Sequence, residues 1–408
     1  MTASGPTRRS FLRAAGAASV AGCAWTKSGR EKHRLKPSLG FLRQTDAASL
    51  LFADELGYYA KQNLSPVFHR AASPVELKEL LAAGDLVAAQ LPASLPIALA
   101  GMGLPPSPSD LVTLMILSQN GAAVTLARDL CEAVKFLDLE GLRKTIARRT
   151  GGPAVFAVPI AGGCDDLLLR YVLAAAEVPR DRVQIEALPA DRMMAELRDE
   201  RILGFAAPDP WSALATQQDV GFTFATAQDI WQTAPRSALC TTERALVAHG
   251  AELKAVVRAL IETSVWLDVP ANRARSTIGD VLARHQYLDL DSGPIRSRLA
   301  SVYDLGCKLG ERDFEYDMIF FHHGGRVNAP RRADALLYLA LLARFKLVPS
   351  PPSPSIVDRA IHDDLYKEVA QEMGVSIPDD MKPFVVTLDA VRFDPSAPTE
   401  WGQLWSHA

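Results

Sequence analysis

The sequence predicts an α/β chain of two lobes, each a mainly parallel sheet flanked by helices, with a helical C-terminal extension. Three observations carry this. Short apolar runs alternate with helical stretches of about 10 to 15 residues through the first 240 residues, the pattern of βαβ units. The runs fall into two groups that divide near Asn120. From Ala251 onward apolar residues recur at helical spacing instead.

The first group predicts strands at Pro37–Leu42, Leu64–Phe68, Leu86–Leu91 and Leu111–Leu117, with a helix at Val75–Ala83. The second predicts strands at Ala122–Leu126, Ala154–Val158, Val183–Leu188, Ile202–Ala207 and Gly221–Ala225. Helices at Leu142–Arg149, Asp165–Ala176 and Ala190–Arg198 lie between them. One more apolar run, Ala238–Thr241, reads as a tenth strand. The extension predicts helices at Leu253–Asp268, Asp334–Leu347 and Ile356–Met373. Between the last two, "VPSPPSPS" (Val348 to Ser355) is a stiff proline-rich connector.

Composition narrows the function. The 408 residues are 48% hydrophobic and 22% charged, with net charge −3, as expected of a globular chain long enough for two cores. Basic residues are scattered and never interleave with aromatics, so nucleic acid is not an expected partner. "TRRSFLRAAGAASVAGC" (Thr7 to Cys23) carries Arg8-Arg9, Phe11-Leu12 and an apolar run shorter than the roughly 20 residues of a membrane span. It resembles a twin-arginine export signal ending in a lipobox. Residues 1–22 would then be the export signal, Cys23 the lipidated first residue of the mature chain, and residues 23–36 a tether. That implies a periplasmic lipoprotein held at the membrane by its lipid. The other cysteines, 131, 164, 240 and 307, show no metal-type spacing, and sequence alone cannot pair them.

Enzyme signatures are missing: there is no GxSxG elbow, Walker loop or GxGxxG fingerprint. His322-His323 in "FFHHGGRV" lacks a third ligand at a supporting spacing, so a structural role is expected and no metal. "DLDSG" (Asp289 to Gly293) lacks the closing glutamate of a calcium loop and reads as a turn. No cofactor is expected. Three other stretches suit a ligand cleft. In "AGGCDDLLLRY" a glycine corner leads into a helix, where Gly163, Cys164 and Asp165 either meet a ligand at the helix N-terminus or merely cap it. A nucleophilic Cys164 is opposed by the neighbouring Asp165 and Asp166. "AAPDPW" places Asp209 and Trp211 at the C-terminal end of a strand, facing a cleft or forming a proline turn. "SQNGAA" puts Gln119, Asn120 and Ala122 at the division of the lobes, as a ligand-facing hinge or simply a turn. At the first strand's end, "RQTD" offers Thr45 and Asp46 on the edge where α/β sheets place ligands.

In this order the stretches resemble the substrate-binding proteins of nitrate and bicarbonate ABC transporters. The likeness runs from Gly40 to Pro398 through "LGFLRQTDAASLLFADELGYY", "LSQNGAAVTLARDL", "CDDLLLRYVLAAAEV", "PDPWSALATQQDVGFTFATAQDIWQTAP", "ALIETSVWLD" and "AVRFDPSAP". It implies the type II periplasmic-binding-protein fold. Residues 37–121 plus 238–400 would form one lobe with the C-terminal helices, and residues 122–237 the other. The implied protein is a monomer that binds a small solute and delivers it to ABC permease and ATPase subunits. The resemblance also implies a changed pocket. Relatives hold nitrate with a tryptophan, a glutamine, a histidine and a lysine; here these fall at Ser73, Ala122, Asp165 and Ser237. The Gly-Glu-Pro-Trp turn becomes Pro208-Asp209-Pro210-Trp211. The cation is thus expected to be missing and a carboxylate to stand instead, which would repel nitrate. A neutral or cationic solute is the expectation. The alternatives are a sensor that keeps the fold but signals to a regulator, and an enzyme on the same fold, which the export signal and lack of clustered histidines oppose.

Overall fold

The computed structural model describes residues 34–268, 275–313, 319–350 and 352–397. The export signal and Cys23 lie outside the described residues, as does nearly all of the tether.

The ten predicted strands all form, and they assemble into two five-stranded sheets. In the first, β1 (Ser38–Leu42), β2 (Val67–Ala71), β3 (Ala88–Pro92) and β4 (Leu111–Gln119) join a later strand in the order β2-β1-β3-β10-β4. β1 runs parallel to β2 and β3, while β10 (Pro235–Thr242) is antiparallel to both its neighbours. The second sheet has the same plan. β5 (Ala122–Ala127), β6 (Ala154–Val158), β7 (Val183–Ala187), β8 (Gly204–Pro208) and β9 (Gly221–Thr226) take the order β7-β6-β8-β5-β9. Here β5 is the antiparallel strand. Every residue of β4, β5, β8, β9 and β10 is buried, as continuous apolar runs covered by helices on both faces require.

Helices fill the layers between strands: α1 (Ala48–Glu55), α2 (Pro74–Ala83), α3 (Leu95–Gly101), α4 (Leu139–Arg148), α5 (Cys164–Ala175), α6 (Ala190–Arg198) and α7 (Trp211–Gln217). Local chemistry sets their ends. Ser73 accepts from the Glu76 N–H with Pro74 at the first helical position, and Asp138 accepts from the Gly141 N–H.

Two strands of chain pass between the sheets side by side. Asn120 and Gly121, at φ 61° and 75°, turn β4 into β5. The Asn120 N–H donates to Ala234 O, and Asn120 Oδ1 accepts from the Thr233 N–H on the returning crossing. The return reaches the first sheet at Pro235, three residues before the expected boundary at 238, because Pro235 and Ser237 already pair with Gln119 and Ser118.

The extension departs from expectation in two ways. Its helices are α8 (Glu243–Leu267), α9 (Arg275–Leu282), α10 (Ser292–Leu299), α11 (Arg332–Arg344), α12 (Ser355–Ala360) and α13 (Asp364–Glu372). The single helix expected at Ile356–Met373 is broken because Ile361 turns extended to bridge Thr113, and the His362 N–H donates to Thr113 O. The extension also does not belong to the first lobe alone. α8 packs on α1, but the Thr223 N–H of β9 donates to Leu305 O, and Tyr171 on α5 donates to Asp389 at 2.7 Å. Trp231 stacks on Phe384 at 5.7 Å.

The four remaining cysteines divide cleanly. Cys131, just after β5, is disulfide-bonded to Cys307 in the extension, while Cys164 and Cys240 are buried thiols. Peptide mapping without reductant should recover Cys131 joined to Cys307. Cys307→Ser should lower stability by about 2–4 kcal/mol through the freed loop. Recovery of Cys164 linked to Cys240 would contradict this pairing.

Candidate functional site

The cleft lies where the C-terminal ends of β1 and β3 face those of β6 and β8, the edge where open α/β sheets bind ligands. After β1 the chain turns through Gln44 into a short 3-10 turn, Thr45–Ala47. This turn meets the β8–α7 corner of the other lobe. The Thr45 N–H and Oγ1 both donate to Asp209 O, at 2.9 and 3.2 Å. Trp211 Nε1 donates to Arg43 O at 3.1 Å. Deeper, Ser94 Oγ donates to Gly162 O at 2.8 Å. A cavity of about 30 Å³ remains at the mouth, between Leu42–Gln44, Ala71, Ala72 and Pro74 on one side and Pro159, Ala190, Asp191 and Trp211 on the other.

At the floor stands Arg236 on β10, only 3% exposed. Its Nη2 donates to Asp165 Oδ1 across the lobes at 2.6 Å, with both side chains almost wholly buried. Arg236 Nε and Nη1 are buried with no hydrogen-bond partner. Beside this pair, Asp46 accepts from Gln90 Nε2 at 2.6 Å. Burial pushes the Asp46 carboxyl up to about 7, against the pull of Arg236; the neighbouring Asp165 adds to the rise. Burial likewise raises Asp165, with Arg236 opposing it. The floor therefore carries one cation, one compensating carboxylate and one carboxyl poised between its two charge states.

Several expected ligand positions prove to be structural. Ser73 spends its hydroxyl on capping α2. Ala122 is buried in β5 opposite Pro208 and packs in the core. Asn120 bonds the returning crossing, and the Gln119 backbone pairs with Phe320 on the extension. Gly163 is the N-cap of α5, packed so closely that a Cβ there would lie 2.8 Å from the Ile160 side chain. Cys164 is not an exposed nucleophile: its thiol donates to Ser94 Oγ and Arg236 O at 3.5 and 3.4 Å. Asp166 holds the glycine corner by accepting from the Gly162 N–H, and it pairs with Arg170.

Asp209 also turns away from the floor. Tyr303 of the extension donates to its Oδ2 at 2.9 Å, and Arg298 Nε lies 3.2 Å from Oδ1 without hydrogen-bond alignment. The Arg298 guanidinium covers the Tyr303 ring at 3.7 Å. Burial raises the Asp209 carboxyl, with Arg298 the main opposing influence. The histidine pair sits in a turn: the backbone N–H groups of Phe321, His322 and His323 converge on Asp268 Oδ2, the structural role expected.

The important correction concerns charge. The cleft does not lack a cation, because Arg236 supplies one a single residue before Ser237, whose hydroxyl lies 3.3 Å from Ser118 Oγ and also bears on the Asp46 carboxyl. The signal was present in "APRSA". β10 is irregular here, with register shifts on both sides of Ser237, so strict alternation does not decide which of its side chains reach the cleft.

Two five-stranded sheets of this plan, joined by paired crossings, define a two-lobed class of α/β proteins. The NMT1-like family model matches residues 29–278, and the chain belongs to that family. It is 30% identical over 394 residues, 95% of its own length and 57% of the other, to the nitrate import ATP-binding protein NrtC of Synechocystis. The nitrate/nitrite binding protein NrtA of Nostoc is 26% identical over 382 residues, covering 90% of this chain and 84% of that one. The chain spans little more than half the length of the ATP-binding relatives such as NrtC. Among solved structures, the periplasmic nitrate-binding protein NrtA from Synechocystis superposes with a TM-score of 0.84 at 23% identity, over 92% of this chain and 99% of that one. The alkanesulfonate-binding protein SsuA from Xanthomonas axonopodis reaches 0.58 at 15% identity, over 81% and 99%.

The sign of the Asp46 shift gives a direct test. A carboxyl raised above its unfolded value contributes stability that is full below about pH 3.8 and is lost as pH rises through about 7. Asp46→Asn removes that loss. Its melting temperature should therefore exceed wild type at pH 8, by the equivalent of roughly 4 kcal/mol of linkage, and the advantage should shrink toward pH 5. An advantage equal at both pH values would contradict the assignment.

Proposed function

We propose that the chain is the solute-capturing component of an ABC importer, working outside the cytoplasm. The observation that carries this is the Arg236–Asp165 pair with Asp46 beside it: buried polar groups contributed by both lobes at the carboxyl edges of both sheets. Enzymatic chemistry has no equivalent support, since Cys164 is capped by hydrogen bonds and the remaining groups form a recognition surface. Relatives named as nitrate-binding or nitrate-import proteins favour transport over sensing. Partners are then a permease and an ATPase. The Cys131–Cys307 disulfide fits an oxidising compartment, and the Arg8-Arg9 and Cys23 signals fit twin-arginine export and lipid anchoring at the membrane. Nitrate itself is disfavoured, because Asp165 already shares the Arg236 guanidinium on the floor.

The chain purified from its host's envelope should release one small molecule on denaturation. Returned to the refolded chain, that molecule should raise the melting temperature. A chain that releases nothing, and whose melting temperature no host metabolite extract raises, would overturn the proposal.

A further inference from the structure

The solute's chemistry can be narrowed from the polar groups at the cleft floor, an inference that rests on the capture function proposed above. Arg236 has five N–H donors, of which one goes to Asp165, while Nε and Nη1 have no partner although the side chain is buried. Buried donors left unpaired are costly, at about 1–3 kcal/mol each and more when charged. The floor therefore asks for an acceptor oxygen. Asp46 accepts from Gln90 and is also favoured by the Ser237 hydroxyl, which leaves about two of the roughly four acceptor positions of its carboxyl for a donor.

Charge then excludes most candidates. Arg236 and Asp165 compensate each other, as do Arg298 and Asp209, and Asp46 adds between none and one negative charge near neutral pH. A monovalent anion would bring a second negative charge beside Asp165. At about 4 Å that repulsion is roughly 4 kcal/mol for an effective dielectric of 20, and the one guanidinium is already shared. A cation would satisfy Asp46 but press against the unpaired N–H groups of Arg236. A neutral molecule with both an acceptor and donors meets neither penalty.

Size follows from the direct contacts between lobes. Thr45 to Asp209, Trp211 to Arg43 and Ser94 to Gly162 bracket the floor with hydrogen bonds of 2.8–3.1 Å. The open space of about 30 Å³ lies at the mouth and is not lined by Arg236 or Asp46, so a solute seated on them must part these contacts, and a molecule of a few heavy atoms parts them least.

We infer that the solute is a small uncharged carboxamide or urea, its carbonyl oxygen accepting from Arg236 and its N–H groups donating to Asp46. Asp165 then holds the guanidinium in place and cancels its charge, so that an uncharged carbonyl suits the site better than an anion. Hydrogen bonds to an ionised donor or acceptor of this kind are shorter and stronger than neutral ones.

The test is calorimetry and thermal shift on the purified chain at pH 7, with urea, acetamide and N-methylurea set against nitrate, bicarbonate, methylammonium and glycine. One of the three amides should bind at least tenfold tighter than any of the four ions or zwitterions. Arg236→Gln should weaken it at least tenfold. Because that change strands Asp165, Asp46→Leu provides a second variant that removes the acceptor without creating a buried charge, and it should give the same loss. Tighter binding of nitrate, bicarbonate, methylammonium or glycine would overturn the inference and leave the capture function standing. So would amides that leave the melting temperature unchanged while a host metabolite extract raises it. Silence from every compound and from the extract would overturn both.

Discussion

The structure depends on one ion pair placed where neither lobe can neutralise it alone. Arg236 comes from the strand that returns to the first sheet, Asp165 from the first turn of a helix in the second. Each is nearly inaccessible, and desolvating either by itself costs several kcal/mol. Their 2.6 Å contact offsets that cost only while the lobes face each other in register. The rest of the cleft is consistent with this constraint. Asp46 is pushed toward neutrality beside a pair that is already balanced, and Cys164 and Ser94 bond the backbone on either side of it.

A second constraint comes from the extension, which holds both lobes at points remote from the crossings. Arg298 and Tyr303 fasten the carboxylate of the β8–α7 corner, and the Cys131–Cys307 disulfide ties the same region to the start of the second lobe. On the other flank, Tyr171 and Trp231 of the second lobe contact Asp389 and Phe384. A solute-binding lobe normally swings about its crossings. Here the segment from Ser292 to Asp313 carries bonds to the second lobe even though it follows α8 and α9, which pack on the first. Any rotation of the lobes at Asn120 and Gly121 would have to carry or break these contacts of the extension.

The fold was legible in the sequence to a degree that local physics explains. Short apolar runs bounded by turn residues and alternating with helical stretches read as strands, and all ten form within a few residues of expectation, with β2 and β7 at the sheet edges partly exposed. The helix expected at Ile356–Met373 failed because a long-range partner, Thr113 on β4, competes for the Ile361–His362 backbone. No local pattern encodes that. The site was only partly legible. Thr45, Asp46, Asp165 and Trp211 could be placed at strand ends and helix starts, and the structure brings them to the cleft. Ser73, placed by the resemblance alone, has its hydroxyl engaged in capping α2. Asp209 lay at the right corner but faces Tyr303, more than 90 residues away in sequence. Arg236 was missed because the cation was sought one residue on, at Ser237, where β10 carries register shifts that no local pattern encodes.

The central claim is that Arg236 and Asp165 are coupled across the lobes rather than solvated apart. A double-mutant cycle on the solute-free chain measures this most directly, from denaturant unfolding of wild type, Arg236→Met, Asp165→Leu and the double variant. The account predicts that each single variant loses about 3–5 kcal/mol by stranding the other charge. The double variant should recover most of that, giving a coupling of several kcal/mol. Additive losses, with no recovery in the double variant, would contradict it.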